Sequence, residues 1–136
     1  MAYVMPYDRI FLDTSVFIAQ VRGDAKRKST ALEILASGAE IHTSAIVVYE
    51  VLVGERRKDR IADWRDQFAQ CIVHAVTEQV AIRASRLGVE MRQRGLQIGF
   101  ADLLIGSSAS LYHLPLATYN KKDFERIPQL DLVPFR

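Results

Sequence analysis

Arg9-Ile10-Phe11-Leu12-Asp13-Thr14-Ser15-Val16-Phe17 opens on three consecutive apolar residues, Ile10 to Leu12, and then breaks on a carboxylate, Asp13. A short apolar run of this kind suits a strand buried on both faces. Thr14 and Ser15 are good helix-capping residues, so a helix starting near Val16 is expected. Asp13 then stands at the carboxyl end of a strand. In open parallel sheets ligands bind outside those ends. Asp13 is therefore a candidate metal ligand or phosphate-handling group.

Working outward, the chain alternates short apolar strands with helices. The first helix is expected over residues 15–21, closed by Gly23, with residues 22–28 as a charged loop. Ser29 then caps a second helix with Ala31, Leu32, Ile34 and Leu35 on its apolar face and Gly38 as its stop. Residues 40–43 read as a second strand. Residues 44–53 are apolar nearly all round, which fits strand or helix. Their length, with Ser44 as cap and Gly54 as terminator, favours a buried helix. Residues 56–70 form an amphipathic helix with Ile61, Trp64 and Phe68 on one face. Residues 71–75 give a third strand. A long helix from Thr77 or Glu78 to about Arg94 has Val80, Ala84, Leu87 and Met91 as its seam. Residues 100–112 form another apolar helix, whose Gly106, Ser107, Ser108 and Ala109 permit close packing. Residues 114–118 make a fourth strand, residues 123–126 a helical turn, and residues 131–135 a fifth, edge strand where Pro134 is tolerable. The fold class expected is α/β: a central, mostly parallel, roughly five-stranded sheet covered on both faces by helices.

The 136 residues suffice for one domain, spanning residues 1–136, and are too few for two. A net charge of +2 does not by itself point to nucleic acid; where the charges cluster says more. Cys71 is the only cysteine, so no internal disulfide forms, which fits a reducing cytoplasm. The first eight residues lack the basic-then-apolar order of a secretory signal, and no apolar run reaches the length of a membrane span.

Two carboxylates sit where apolar helices should have none: Glu50 among residues 46–53, and Asp102 among residues 100–105. A charge in apolar surroundings costs several kcal/mol unless paired or metal-bound. Neither has a basic partner at helical spacing. The bland alternative, outward-pointing solvated acids, loses ground when Asp13 is added at a strand end. A fourth acid, Asp123, follows the fourth strand, and strand ends of a parallel sheet share one rim. Four carboxylates on one rim repel one another unless a divalent cation holds them. Mg²⁺ suits such oxygen ligands, and carboxylate-bound Mg²⁺ serves phosphodiester hydrolysis.

Leu12-Asp13-Thr14-Ser15, Val48-Tyr49-Glu50-Val51, Gly99-Phe100-Ala101-Asp102-Leu103-Leu104-Ile105 and Ala117-Thr118-Tyr119-Asn120-Lys121-Lys122-Asp123-Phe124, in this order, resemble the motifs of PIN-domain ribonucleases, above all the VapC-type toxins of prokaryotic toxin–antitoxin pairs. The resemblance implies a three-layer PIN-like domain and Mg²⁺-dependent, or Mn²⁺-dependent, endonucleolytic cleavage of RNA. It implies Asp13, Glu50 and Asp102 as metal-binding carboxylates. The fourth position lies between Asn120 and Asp123, and Asp123 is taken here. Thr14 or Ser15 would steady Asp13 or a water. A homodimer and a cognate antitoxin covering the active-site groove are implied too.

Lys121 and Lys122 adjoin a proposed ligand, and Lys26 and Arg27 follow the Asp13 helix, so these four are candidate RNA-phosphate contacts. Arg83 and Arg86 read as a solvated face. His42, His74 and His113 lack metal-ligand spacing and read as structural. Cys71 reads as a core residue, and Trp64 with Phe68 as core or dimer interface. Competing functions fare worse. A phospho-receiver domain wants adjacent acids after the first strand, where Thr14 and Ser15 stand. A haloacid-dehalogenase-type phosphatase wants a second Asp at position 15. A catalytically inactive RNA- or protein-binding module would not need all four acidic motifs. A PIN nuclease that processes RNA outside any toxin system shares every residue named.

Overall fold

The structure, a computed structural model, describes residues 7–134. β1 (Arg9–Leu12) is followed by α1 (Thr14–Arg22), α2 (Ala25–Ala36), β2 (Glu40–Ser44), α3 (Ala45–Val53), α4 (Lys58–Ala69), β3 (Ile72–His74), α5 (Glu78–Gln93), α6 (Phe100–Leu111), β4 (Leu116–Ala117) and α7 (Lys121–Phe124). The strands form one sheet in the order β3-β2-β1-β4, and every pairing is parallel. β1 thus lies between β2 and β4. Its residues Ile10, Phe11 and Leu12 are fully buried, as expected of a strand with helices on both faces.

Leu12 pairs with Ala117, which sets the residues after β1 beside those after β4. Asp13 caps α1 and Ser44 caps α3, so two helices start directly off the carboxyl ends of two strands. Phe17 of α1 packs on Phe68 of α4, with ring centroids 5.0 Å apart. Trp64 is buried beside it and donates from Nε1 to Glu55 at 2.9 Å, so this aromatic pair belongs to the core. Val80, Ala84 and Leu104 make a small second cluster between α5 and α6.

Several sequence expectations need correction. The fifth strand is reduced to a single parallel bridge between Leu116 and Leu132, held by Leu116 N–H to the Asp131 carbonyl and Val133 N–H to the Leu116 carbonyl, each 2.8 Å. Pro134 lacks the N–H that would extend the ladder, and residue 135 falls outside the described residues. Among the described residues four strands stand where roughly five were expected. The charged segment 22–28 is mostly helix, because Asp24 rather than Ser29 caps α2, accepting from Arg27 N–H at 2.8 Å. Helix α3 is not buried all round: Val47 and Val51 face the core, while Tyr49 and Val53, one turn apart, are exposed. Arg83 is not merely solvated, since it donates to Ser110 Oγ at 2.7 Å.

His42 and His74 are packed into the fold. His42 is buried between Glu40 and His74, with ring nitrogens 2.6 Å from the Glu40 carboxylate and 2.8 Å from His74. His74 stacks on Tyr112 at 4.3 Å. Burial and the neighbouring His42 hold His74 below the usual histidine range. Burial pushes the Cys71 thiol up to about 11, far from a reactive thiolate.

Gly106 lets α6 approach α7. A Cβ there would collide with Ile127 Cδ1 and stand 3.4 Å from the Phe124 ring. Ile127 and Phe124 are buried and have little room to give. Gly106→Val is expected to cost about 2 kcal/mol by overpacking, measured by urea unfolding, and to lower activity by displacing α7, which carries Asp123.

Candidate active site

Asp13 is 3% exposed, an acid sunk at the end of β1. Its Oδ1 accepts from Ser15 N–H at 2.9 Å, Ser15 Oγ at 2.6 Å and Val16 N–H at 3.4 Å. Its Oδ2 accepts from Thr118 Oγ1 at 2.6 Å. Burial pushes this carboxyl up to about 6 despite those four donors, and the nearby charge of Asp102 adds to the rise.

Asp102 lies in the first turn of α6, half-buried. Burial first, and then the charges of Glu50 and Asp123, hold its carboxyl above the ordinary range, against the pull of the Asn120 amide. Asn120 Nδ2 donates to Asp102 Oδ2 and to Asp123 Oδ2, each at 3.1 Å. The amide therefore acts as a neutral spacer between two carboxylates. Glu50, from α3, accepts from Thr14 Oγ1 at 2.6 Å. Asp123 is also approached by Arg126, at 3.9 Å.

Four elements thus bring their acids to one rim. Asp102 feels Glu50 and Asp123, and Asp13 feels Asp102. Asp102 and Asp123 meet through the Asn120 amide, Asp13 is tied to Asn120 through Thr118, and Glu50 is held by Thr14; among the described residues no three His, Cys, Asp or Glu side chains stand close enough together to hold one metal ion as placed. The donor chemistry nevertheless fits a hard divalent cation. All four are oxygen ligands, and a cation would relieve both the burial and the mutual repulsion that raise Asp13 and Asp102.

The PIN domain family pattern matches residues 10–130, from the start of β1 past α7. The sequence is 31% identical over 125 residues to ribonuclease VapC2 of Rickettsia felis, covering 89% of this chain and 93% of that protein. This chain is a PIN domain of the VapC family. Its fold matches a chain of the crystal structure of VapBC2 from Rickettsia felis bound to a promoter DNA fragment, with a TM-score of 0.78 and 28% identity over 93% of this chain and 98% of that one. A toxin–antitoxin complex from Klebsiella pneumoniae matches at a TM-score of 0.74 and 27% identity, covering 93% of this chain and 98% of that one.

In this PIN domain Thr118 is a site residue that sequence reasoning passed over. It is fully buried, donates to Asp13 and accepts from Asn120 N–H at 2.9 Å. It also lies 3.5 Å from Ser15 Oγ, which accepts from Tyr119 N–H at 2.9 Å. The available signal was register: a hydroxyl after β4 stands where Asp13 stands after β1. Ser15 serves Asp13 and Thr14 serves Glu50, so the two supporting residues divide their work. Lys121 and Lys122 flank Asp123 on α7, Lys121 half-buried and Lys122 exposed. Arg27 reaches the same region by resting its guanidinium over the Tyr119 ring, 4.7 Å from the centroid. Lys26 is exposed on the first turn of α2.

Proposed function

We propose that this chain is a Mg²⁺-dependent endoribonuclease, the toxin of a type II toxin–antitoxin pair, acting as a single PIN domain in the cytoplasm. The observation that carries the reading is the convergence of Asp13, Glu50, Asp102 and Asp123 from four elements on one strand-end rim, with Asp102 raised first by burial and then by the charges of Glu50 and Asp123. Asp13, Glu50 and Asp102 would hold the cation. Asp123 completes the set through Asn120, which fixes its distance from Asp102. When bound, the ion supplies activation of the attacking water and charge neutralisation at phosphorus; Mn²⁺ has the same ligand preferences and would substitute.

The chain's own groups orient the ligands and the substrate. Thr14 points Glu50 inward, and Ser15 and Thr118 fix both oxygens of Asp13. Lys121 and Lys122 would hold RNA phosphates, which positions the strand without reading its sequence. The exposed Tyr49 and Val53 of α3 offer an apolar face for a homodimer, and the relatives' toxin–antitoxin assemblies support an antitoxin that covers the groove.

The test is cleavage of a defined RNA by purified protein. Cleavage with Mg²⁺ is expected, with loss in EDTA, restoration by excess Mg²⁺ or Mn²⁺, and a loss of about 10³-fold in Asp102→Asn. RNA binding without cleavage at any metal concentration would instead support an inactive binding module. Release of growth arrest by a small protein encoded in the neighbouring frame would test the toxin assignment.

A further inference from the structure

Helix α2 begins Ala25-Lys26-Arg27-Lys28, and no acid stands in its first turn. The Asp24 cap supplies one negative charge at this helix start, and three cations follow it where the dipole favours anions. Arg27 is also held in a definite place. Its guanidinium lies over the Tyr119 ring at 4.7 Å, and its carbonyl accepts from Tyr119 Oη at 3.1 Å. Tyr119 is in turn fixed to the acidic rim, because its N–H donates to Ser15 Oγ, the hydroxyl that donates to Asp13.

The ring occupies one face of the guanidinium and none of its N–H donors. Among the described residues those donors have no hydrogen-bond or ion-pair partner, and Arg27 is exposed. A stacked guanidinium keeps its planar fork for bidentate contact with a phosphate. Stacking also removes part of the rotamer freedom that an unsupported surface arginine would lose on binding.

We propose that Tyr119 mounts Arg27 as a clamp for an RNA phosphate beside the one that is cleaved. The proposal rests on the ribonuclease reading above. Tyr119 is a positioning residue, acting only through Arg27. Arg27 touches the strand away from the reacting atoms, so its loss should weaken binding more than chemistry.

The experiment compares wild type with Arg27→Ala, Arg27→Lys, Tyr119→Leu, Tyr119→Phe and the Arg27→Ala/Tyr119→Leu double variant. Two readouts are taken over a range of salt concentrations: steady-state cleavage of a short fluorescent RNA, and affinity for the same RNA with a non-cleavable backbone. Arg27→Ala is expected to raise KM about tenfold, leave kcat within about twofold, and reduce the salt slope of binding by about 0.7, one phosphate on a single strand. Arg27→Lys should recover only part, lacking the fork. Tyr119→Leu keeps apolar bulk without a π face and should reproduce most of the KM rise, adding nothing in the Arg27→Ala background. Tyr119→Phe keeps the ring and loses only the Oη bond to the Arg27 carbonyl, so its KM should fall between wild type and Tyr119→Leu.

An unchanged KM and salt slope in Arg27→Ala, while wild type cleaves, overturns the clamp. So does additivity of the two single changes, or an equal effect from Arg65→Ala on the exposed side of α4, which would mark a net-charge effect. Wild-type binding without cleavage overturns the nuclease reading alone; the salt slope of the binding arm still decides the clamp.

Discussion

Asp13→Asn is expected to abolish RNA cleavage and, in metal-free buffer at pH 7, to make the protein more stable than wild type. The folded carboxyl keeps its proton up to about 6, whereas its ordinary value is 3.8. Between those values the folded state binds more protons than the unfolded state, so stability falls as pH rises through the window. At pH 7 the whole cost is present, about 3 kcal/mol at 1.36 kcal/mol per unit. Asparagine removes the charge and keeps Oδ1 for Ser15 and Val16. Its Nδ2 would face Thr118 Oγ1, which can turn from donor to acceptor. A gain of about 2 kcal/mol is expected at pH 7, shrinking to nothing at about pH 2.5, where the wild-type carboxyl is protonated folded or unfolded. Thermal unfolding at both pH values reads this. Cleavage should fall by about three orders of magnitude, the scale of losing a charge-stabilising group. Added Mg²⁺ should raise the melting temperature of wild type and leave the variant unmoved. A variant less stable than wild type at pH 7 would show that Asp13 is satisfied as an anion without a cation.

Thr118→Val is expected to do the opposite, lowering both stability and activity. Valine has the same shape, so the packing at the end of β4 survives and only the hydroxyl goes. Asp13 Oδ2 loses its donor at 2.6 Å and Asn120 N–H loses its acceptor at 2.9 Å, both in or beside the core. Breaking a hydrogen bond to a charged group and stranding a second polar atom should cost about 3 kcal/mol. Cleavage should drop about a hundredfold as Asn120 loosens its hold on Asp102 and Asp123. The Thr118 hydroxyl helps pull the Asp13 carboxyl down, so its removal should move the acid limb of the pH–rate profile to higher pH. Thr118→Ser should restore that limb, which separates the electrostatic role from a packing role.

The residues behind these two expectations were unequally visible in the sequence. Asp13 could be read from Ile10 to Leu12 ending on an acid, because burial on both faces leaves a continuous apolar run. Glu50 and Asp102 could be read because a lone acid in an apolar helix violates composition. Thr118 could not. A threonine at a strand end is ordinary by type, and only the parallel register of β1 with β4 makes it a partner of Asp13. The same limit hid Tyr119, whose ring reaches helix α2, far away in the chain. Local signals failed in a different way over residues 22–28. A run of charges reads as loop, yet one capping aspartate, Asp24, is enough to start α2. The apolar run of α3 misled in the other direction: Tyr49 and Val53 look like core by composition and face outward. The fifth strand failed for want of donors, with Pro134 ending what Leu132 and Val133 began.

The strand order β3-β2-β1-β4 places the first strand synthesised against the last. On a ribosome, β1 can pair with β2 early, but its other edge stays open until residues 116–117 leave the exit tunnel. Until then Asp13 lacks Thr118, and Asp102 lacks Asn120 and Asp123. Long-range parallel pairing of this kind forms late and slowly. A chain that stops short of β4 therefore lacks the contacts that orient Asp13, Asp102 and Asp123 on the rim.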